Sequence, residues 1–430
     1  MRTSYVLLIT AFLLVSLKAQ AARFDASGYL RAGTGWNGSE RRMICVSNSG
    51  ASTNEFRLGN ECSFYGELGL TAHHESETSD GAAAGAGDFF DSHVRFSMFP
   101  DGRRLYDSAD INGRGVNLTE AFADARYRDI GPITFWVGKR FYRENDISIF
   151  DWYSFADTSG VGAGLIGVPM PVGELAVAHL IQGSESTPST GVPIIQLLDL
   201  RWRGIPIAEK GQLLLWSGYA WSSRGDDGAG TRYVPGHGAV LGAQWKHEVS
   251  FGRNELALIY GHGLMQGMNL YGPNPMTNPD ANEAKRLRLT ESFELSSGDA
   301  WTFLGVLATD EVDSGSAQRS RSTWRSVGLR SFYQTHPHWR MLIEVGHSRY
   351  QAQSEVDAQG AEPGERTMNR VTIGPELSIN RSIWGRPVLR AFATYSSWND
   401  ANISKMGTTT TALRGQSETW NFGYQTEVWF

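Results

Sequence analysis

The chain ends in an alternating segment that decides its fold class: Trp420-Asn421-Phe422-Gly423-Tyr424-Gln425-Thr426-Glu427-Val428-Trp429-Phe430. One face of this segment carries apolar residues, namely Trp420, Phe422, Tyr424, Val428 and Phe430. The opposite face carries Asn421, Gly423, Gln425, Glu427 and Trp429. Because successive side chains of a β-strand point to opposite sides, this period predicts a strand with one apolar face and one mostly polar face.

The same alternation recurs elsewhere, for example at residues 133–138, 255–260 and 388–395. Polar, glycine-rich connections of two lengths separate such segments. Short ones lie at 131–132, 252–254 and 297–299, and long ones at 183–191, 224–231, 273–283, 310–320, 354–365 and 399–416. Short turns at one rim and long loops at the other are typical of a transmembrane antiparallel β-barrel. We therefore predict an all-β barrel, and the chain is long enough for about 16 to 18 strands of ~10 residues.

Composition excludes several other classes. The chain has 430 residues, of which 41% are hydrophobic and 20% charged, and its mean hydropathy is -0.31. A polytopic helical membrane protein would need repeated apolar stretches of about 20 residues. An aromatic content of 11% argues against disorder. A secreted soluble sandwich or propeller is the alternative, but no blade-length repeat is present.

The first 22 residues are predicted to be a signal peptide, followed by a single barrel domain over residues 23–430. Arg2 precedes an apolar run over residues 5–17, and Ala19-Gln20-Ala21 is a small-residue cleavage site. An uncleaved membrane anchor is the alternative, although the run is short for a span. Removal takes away two basic residues and changes the formal charge from -6 to -8. A net negative chain without a basic stripe argues against nucleic-acid binding.

Cys45 and Cys62 are the only two cysteines, and both lie in the exported part of the chain. Exported proteins form disulfides in an oxidising compartment, so the pair predicts one disulfide that closes a loop. Two unrelated free thiols are the alternative. No CxxC motif is present, and no metal or cofactor is predicted.

Further strings that stand out in the chain are residues 24–36, 56–62, 138–142, 159–164, 382–387, 392–395 and 420–430. In this order they resemble the maltoporin family, the sugar-specific porins of Gram-negative outer membranes. The resemblance is strong near both ends and loose between about 170 and 370. It implies a homotrimer of about 18-stranded barrels in the outer membrane, with a third loop folded inward to form the constriction. It also implies passive passage of maltose and maltodextrins.

A pore for a neutral sugar needs apolar rings for the pyranose C–H faces and charged groups for the hydroxyl rim. Trp429 lies on the polar face of the last strand, and Tyr29 shares a face with Asp25, Ser27 and Arg31. The resemblance places an aromatic slide of this kind on Tyr29, Tyr65, Trp384 and Trp429. A further slide position falls near Leu241, and Tyr106 is a candidate for one that a neighbouring subunit supplies. Taken singly, each ring could instead anchor the barrel at the membrane interface.

The resemblance also implies an ionic track at Arg31, Arg57, Glu67, Asp146, Asp151 and Tyr153. Asp151 and Tyr153 are expected on the inward loop. The chain departs from the family at two track positions. Glu144 stands where the family has an arginine, with Arg143 one place earlier, and Thr119 stands at another arginine position. Sucrose porins of the same superfamily carry a coiled-coil extension and a smaller residue at the Tyr153 position, and this chain has neither.

The predicted function is therefore facilitated diffusion of maltose and maltodextrins through an outer-membrane channel, not enzymatic activity. None of the ten histidines falls in a nucleophile-elbow or HExxH pattern. Asp146 and Asp151 could suggest glycoside hydrolysis by spacing alone, but the barrel context favours substrate contact. The remaining alternatives are a general diffusion porin, a channel for another oligosaccharide such as sucrose or glucosides, and a receptor role through the outer loops.

Overall fold

The computed structural model describes residues 23–38, 43–48, 55–62, 64–74, 88–98, 116–150, 152–182, 191–269, 276–316, 321–354, 364–409, 413 and 415–430. The predicted signal peptide, residues 1–22, lies outside these ranges and stays a prediction. None of the helices among the described residues is long and apolar enough to cross a membrane.

Twenty-two strands are present in the described residues. They are β1 (Arg23–Asn37), β2 (Tyr65–His74), β3 (Phe89–Met98), β4 (Val116–Arg126), β5 (Thr134–Arg140), β6 (Glu144–Ile147), β7 (Trp152–Phe155), β8 (Gly160–Pro169), β9 (Glu174–Gln182), β10 (Ile195–Ala208), β11 (Gly211–Ser222), β12 (Gly225–Asp226), β13 (Arg232–Tyr233), β14 (Gly236–Val249), β15 (Gly252–Gly263), β16 (Lys285–Ser297), β17 (Trp301–Asp313), β18 (Arg321–His336), β19 (Trp339–Ala352), β20 (Arg366–Ser378), β21 (Val388–Trp398) and β22 (Glu418–Trp429).

Eighteen of these strands form one closed antiparallel barrel, which confirms the predicted all-β architecture. Each barrel strand pairs with the next along the chain, and β22 pairs back with β1. The pairs β6–β7 and β12–β13 are separate hairpins inside two of the long connections. A helix, α1 (Asp400–Thr409), lies in the connection before β22, and short 3-10 helices cover Arg128–Ile130 and Pro279–Glu283.

Alternation along the strands separates the two faces of the barrel wall. On β22, Asn421, Gln425 and Glu427 are buried, whereas Trp420 and Tyr424 are exposed on the outside. Outer aromatic residues collect near both rims. Trp420 and Phe422 lie 5.9 Å apart near the rim with the long loops, and Trp301 and Tyr333 lie 4.6 Å apart near the rim with the short turns. Such girdles are typical of membrane barrels.

Two of the expected connections differ in position. The turn predicted at 252–254 is wrong by two residues, because Gly252 already pairs with Val249 and Leu295. The tight turn is therefore at Ser250 and Phe251. The loop predicted to begin at residue 310 begins after Asp313, because β17 continues to pair with both neighbouring strands to that point.

Three connections fold into the barrel and fill much of its interior. The β5–β8 connection, which carries β6 and β7, buries Ile149 and Phe150 and corresponds to the expected inward constriction loop. The β1–β2 connection also turns inward, and its Phe56 ring lies 5.8 Å from the ring of Phe150. Residues that follow β15, among them Met265 and Met268, pack in a second interior cluster. These inserted residues therefore narrow the lumen of the barrel.

The disulfide between Cys45 and Cys62 is present, as predicted. It closes the part of the β1–β2 connection that enters the barrel. Gly346 on the wall allows the Phe56 ring of this segment to approach closely, because a Cβ atom at Gly346 would lie 2.3 Å from the ring. The disulfide and this close packing together define the position of the inserted segment.

Candidate functional site: an aromatic and charged cavity in the lumen

Three adjacent strands bring most of the predicted aromatic residues together. Tyr29 on β1 lies directly opposite Glu67 on β2 and Trp429 on β22. Directly opposite residues of antiparallel strands share a face. The ring centroid of Tyr29 is 5.8 Å from that of Tyr65 and 6.4 Å from that of Trp429. The three rings therefore form a continuous row on the lumen side of the wall.

Trp384 reaches the lumen from a turn rather than from a strand. It lies in the connection between β20 and β21, residues 379–387, and its indole N–H donates to Glu294 at 3.0 Å. Two residues later, the guanidinium carbon of Arg386 lies 4.0 Å from the centre of the Trp429 ring. This connection therefore links Trp384 to the row of rings.

One cavity of about 520 Å³ is lined by eight of the ten residues predicted to contact sugar. They are Tyr29, Arg31, Arg57, Tyr65, Glu67, Asp146, Trp384 and Trp429. Asp151 lies outside the described residues, as does the side chain of Tyr153. The backbone of Tyr153 pairs with that of Asp146 in the β6–β7 hairpin. The inward loop and the β2–β1–β22 wall therefore face each other across this cavity.

Glu427 is the centre of the ion pairs on one side of the cavity. Its carboxylate accepts hydrogen bonds from Tyr29 at 2.9 Å, Arg57 at 3.1 Å, Arg386 at 2.8 Å and Arg390 at 3.0 Å. Burial lowers the pKa of Arg386 to about 10, against the attraction of Glu427, so this group stays cationic near neutral pH. Removing a charged partner from such a buried network leaves uncompensated charge, so the side chains hold one another in place.

Glu61 forms a second group of ion pairs, and sequence analysis did not single it out. It comes from the inserted β1–β2 connection and accepts from Arg31 at 2.5 Å and from Arg57 at 2.7 Å. Gln425 on β22 also donates to it. Arg57 thus contacts both Glu61 and Glu427. The only signal in the sequence was its place beside Cys62, since a loop that enters the lumen brings its polar residues to the cavity.

The two positions that depart from the family pattern lie apart from the cavity lining. Glu144 accepts a hydrogen bond from Arg201 at 3.2 Å and also contacts Arg203, both on β10. Arg143, its neighbour, lines the cavity. Thr119 donates to the backbone carbonyl of Arg95 at 3.0 Å beside an irregularity in the β3–β4 pairing. Arg143 therefore lines the cavity, whereas Glu144 does not.

One of the two further slide positions, Leu241, lies outside the row of rings. Leu241 is 60% exposed and lies with other apolar residues on the outer surface of β14, so it does not contribute to the lumen. Tyr106 lies outside the described residues. Within the described residues the row therefore consists of Tyr65, Tyr29 and Trp429, with Trp384 beside it.

The arrangement combines flat apolar rings with fixed ionised groups a few ångströms away. Tyr65 donates to Glu67, and Arg95 contacts the same carboxylate at 3.1 Å. Charged groups make stronger hydrogen bonds to hydroxyls than neutral groups do. Such a surface can contact both the apolar faces and the hydroxyl rim of a polyhydroxylated solute.

Comparison with known families settles the class of the protein. The family model described as LamB porin matches residues 24–430. The chain belongs to the LamB porin family. This protein is accordingly a porin of the Gram-negative outer membrane, as the resemblance to maltoporins predicted.

Several solved structures resemble this porin at low sequence identity. OccK1 (OpdK) of Pseudomonas aeruginosa is 12% identical over 95% of this chain and 98% of that chain, with a TM-score of 0.47. The anion-selective porin from Comamonas acidovorans is 9% identical over 95% and 100%, with a TM-score of 0.45. The trimer form of in-vitro folded OmpT of Vibrio cholerae is 11% identical over 96% and 100%, with a TM-score of 0.41. These similarities carry no argument about solute or assembly.

Proposed function

We propose that this porin is a channel for facilitated diffusion of maltose and maltodextrins. The observation that carries the proposal is the row of Tyr65, Tyr29 and Trp429 beside the Glu427 ion pairs in one cavity. Glucose units linked in a chain would place successive pyranose faces on successive rings. Their hydroxyl groups would exchange hydrogen bonds among Arg57, Glu427 and the neighbouring charged groups.

Weak binding at several adjacent positions suits a channel better than one tight position. A solute must bind well enough to enter and weakly enough to leave. Each ring contributes about 1 kcal/mol through stacking. A solute can therefore move from one ring to the next without a large barrier, because it gains a new contact as it loses the previous one.

The proposal is tested by ion conductance of the purified porin in a planar bilayer. Maltose to maltohexaose are titrated, with sucrose as a comparison. We expect saturable block that strengthens with maltodextrin length. Open channels that no maltodextrin blocks would contradict the proposal and favour a general diffusion porin. Block by sucrose alone would favour a channel for another oligosaccharide.

Two tryptophans on the same strand provide a matched pair of variants. Trp429 faces the cavity, whereas Trp420 lies on the outer face of β22. Trp429→Ala should weaken maltohexaose block about fivefold, which corresponds to the loss of about 1 kcal/mol. Trp420→Ala should leave the block unchanged. Equal effects of the two substitutions would contradict a role of the Trp429 ring in sugar binding.

We also propose that the porin assembles as a homotrimer, as the family resemblance implies. The same resemblance implies that a neighbouring subunit supplies one further ring to the aromatic slide. Chemical cross-linking of the detergent-solubilised protein, followed by denaturing electrophoresis, should give a ladder that ends at three subunits. A ladder that ends at one subunit would contradict the trimer without affecting the sugar proposal.

A further inference from the structure

A second group of polar side chains lies on the lumen wall between Tyr29 and the rim with the short turns. We call it the rim cluster, and it consists of Asp25 on β1, Thr71 and His73 on β2, Asp91 and His93 on β3, and Asp124 on β4. His73 lies opposite Asp91, and Asp91 lies opposite Asp124. Since Thr71 and His73 alternate in step with Tyr65 and Glu67, the rim cluster faces the lumen. None of its members lines the sugar cavity.

Three members of the rim cluster offer ligand atoms within reach of one ion. One ligand atom each from Asp91, His93 and Asp124 lies within 4.8 Å of the other two. Nε2 of His93 is 2.9 Å from Oδ1 of Asp124. An imidazole nitrogen with two carboxylate oxygens suits a borderline divalent ion such as Zn²⁺. The three residues come from adjacent strands of a continuous sheet, which fixes their separation.

The ring of His93 is oriented so that Nε2 points at the carboxylates. Its Nδ1 lies 3.0 Å from the hydroxyl of Thr71, which can accept from Nδ1–H when Nε2 binds an ion. The ring also stacks on Phe122, with centroids 4.3 Å apart and planes at 15°. A second hydrogen bond that fixes the tautomer and orientation of a histidine is a regular feature of metal sites.

His73 supports the Asp91 carboxylate in a similar way. Its Nδ1 is 2.9 Å from Asp91, and its Nε2 is 3.0 Å from Asp25. Both Asp91 and His93 therefore have a fixed outer partner. Each of these contacts, taken alone, is an ordinary hydrogen bond between side chains of the barrel wall. Metal sites combine several such contacts around one group of ligand atoms.

Charge and access are compatible with a cation at this position. The side chains of Asp91, Asp124 and His93 are 15%, 17% and 22% exposed, so the lumen reaches them without full hydration. Arg95, two residues after His93, is engaged by Glu67 and Glu120. Arg140 is attracted to Asp124 and packs over Phe122. Arg23 pairs with Asp25 at 3.2 Å, so Asp91 and Asp124 together outnumber Arg140 by one charge.

We propose that Asp91, His93 and Asp124 bind one divalent transition-metal ion, represented by Zn²⁺, on the lumen wall. Thr71 and His73 are positioning residues that orient His93 and Asp91. The 2.9 Å contact between Nε2 of His93 and Asp124 holds these two ligand groups together on neighbouring strands. The site is separate from the sugar cavity and does not depend on the proposed solute.

The proposal is tested by isothermal titration of the chelator-treated, untagged full-length porin in detergent with ZnCl2. We expect one Zn²⁺ per chain. His93→Ala and Asp124→Asn should each weaken binding at least about tenfold. The control is His237→Ala, an exposed histidine on β14 outside the rim cluster, which should bind as the unmodified porin does.

A spectroscopic measurement identifies the ligand. Electron paramagnetic resonance of the Cu²⁺-loaded porin should show coupling to one imidazole nitrogen, and His93→Ala should lose that coupling. Retention of the strand signal in circular dichroism checks that each variant folds. If His93→Ala does not fold, the proposal is tested by Zn²⁺ binding to Asp124→Asn and by the number of Zn²⁺ ions that the unmodified porin binds. Absence of Zn²⁺ binding, or equal binding by folded His93→Ala or Asp124→Asn, would overturn the proposal.

Discussion

Two buried carboxylates inside the barrel are stabilised in opposite ways. Glu427, at the lumen cavity lined by Tyr29 and Trp429, accepts hydrogen bonds from Arg57, Arg386 and Arg390. Glu55, in the inserted β1–β2 connection, instead accepts from the indole of Trp324 at 2.5 Å, the hydroxyl of Ser348 at 3.0 Å and the backbone N–H of Asn48 at 3.2 Å. The first carboxylate is paired with cations, and the second is held mainly by neutral donors.

The two carboxylates differ in their donors because they lie in regions with different roles. Burial raises the pKa of Glu55 to about 7, and its hydrogen bonds and the attraction of Arg370 only partly oppose this. Arg370 itself donates to the carbonyl groups of Glu55 and Phe56, at 2.6 and 3.1 Å, so it holds the backbone of the inserted segment. The Glu55 region anchors a loop, and the Glu427 region presents charge to the cavity. A buried carboxylate can thus anchor a loop when its donors are mainly neutral, or present charge to a cavity when its donors are cations.

The largest effect is expected from Glu427→Ala. This change leaves three guanidinium groups near the cavity without their shared carboxylate. Removing one partner of a buried ion pair costs about 3–5 kcal/mol, so the free energy of unfolding in detergent should fall by this amount. Chemical unfolding monitored by tryptophan fluorescence measures it. Glu248→Ala, at an exposed position, should change it by less than about 0.5 kcal/mol. A similar decrease in the free energy of unfolding for both variants would show that Glu427 does not stabilise the guanidinium groups at the cavity.

The next largest effect is a pH dependence of the Glu55 anchor. The folded pKa of Glu55, about 7, lies above the ordinary value of 4.5, so the folded protein retains a proton that the unfolded chain has lost. Its stabilising contribution is therefore complete below pH 4.5 and is lost as the pH rises through 7. The loss amounts to about 3 kcal/mol. Unfolding of the porin and of Glu55→Gln between pH 4 and 8 measures the difference.

The amide in Glu55→Gln cannot lose a proton, so this variant should lack the extra decline. The comparison removes the contributions of all other titrating groups. If the two proteins lose stability in parallel between pH 4.5 and 7, Glu55 is ionised in the folded state. The contrast with Glu427 would then be wrong.

A smaller effect is expected where the inserted segment packs on the wall. Gly346→Ala places a methyl group 2.3 Å from the buried Phe56 ring. Overpacking of this kind costs about 1–3 kcal/mol. The unfolding free energy should fall by this amount, and single-channel conductance should rise as the segment is displaced. Gly364→Ala, where an added Cβ has no neighbour within 4 Å, is the control. An unchanged free energy of unfolding in both variants would show that the space between Gly346 and the Phe56 ring can hold a methyl group.

Sequence analysis singled out some residues of the candidate site and missed others. Tyr29 and Trp429 were placed on a lumen face by strand period alone, because a period of two leaves no other choice of face. Trp384 was grouped with them through the resemblance to the family pattern, and the structure places it in a turn that lines the same cavity. Glu61 was missed because no local pattern shows that a loop enters the lumen. The sequence also left open whether Arg143 or Glu144 lines the cavity, since the side chains of neighbouring loop residues have no regular alternation.

The sequence by itself determined the β-strand period, the two faces of the wall, the single disulfide and the family, because these depend on local alternation and on ordered residue strings. Only the tertiary structure decided which strands meet at β1 and β22, which connections fold inward, and how Arg57 joins Glu61 to Glu427. Those features depend on contacts between residues hundreds of positions apart, such as Tyr29 and Glu427. The rim cluster belongs to the same group, because barrel pairing, and no sequence motif, brings Asp91, His93 and Asp124 together.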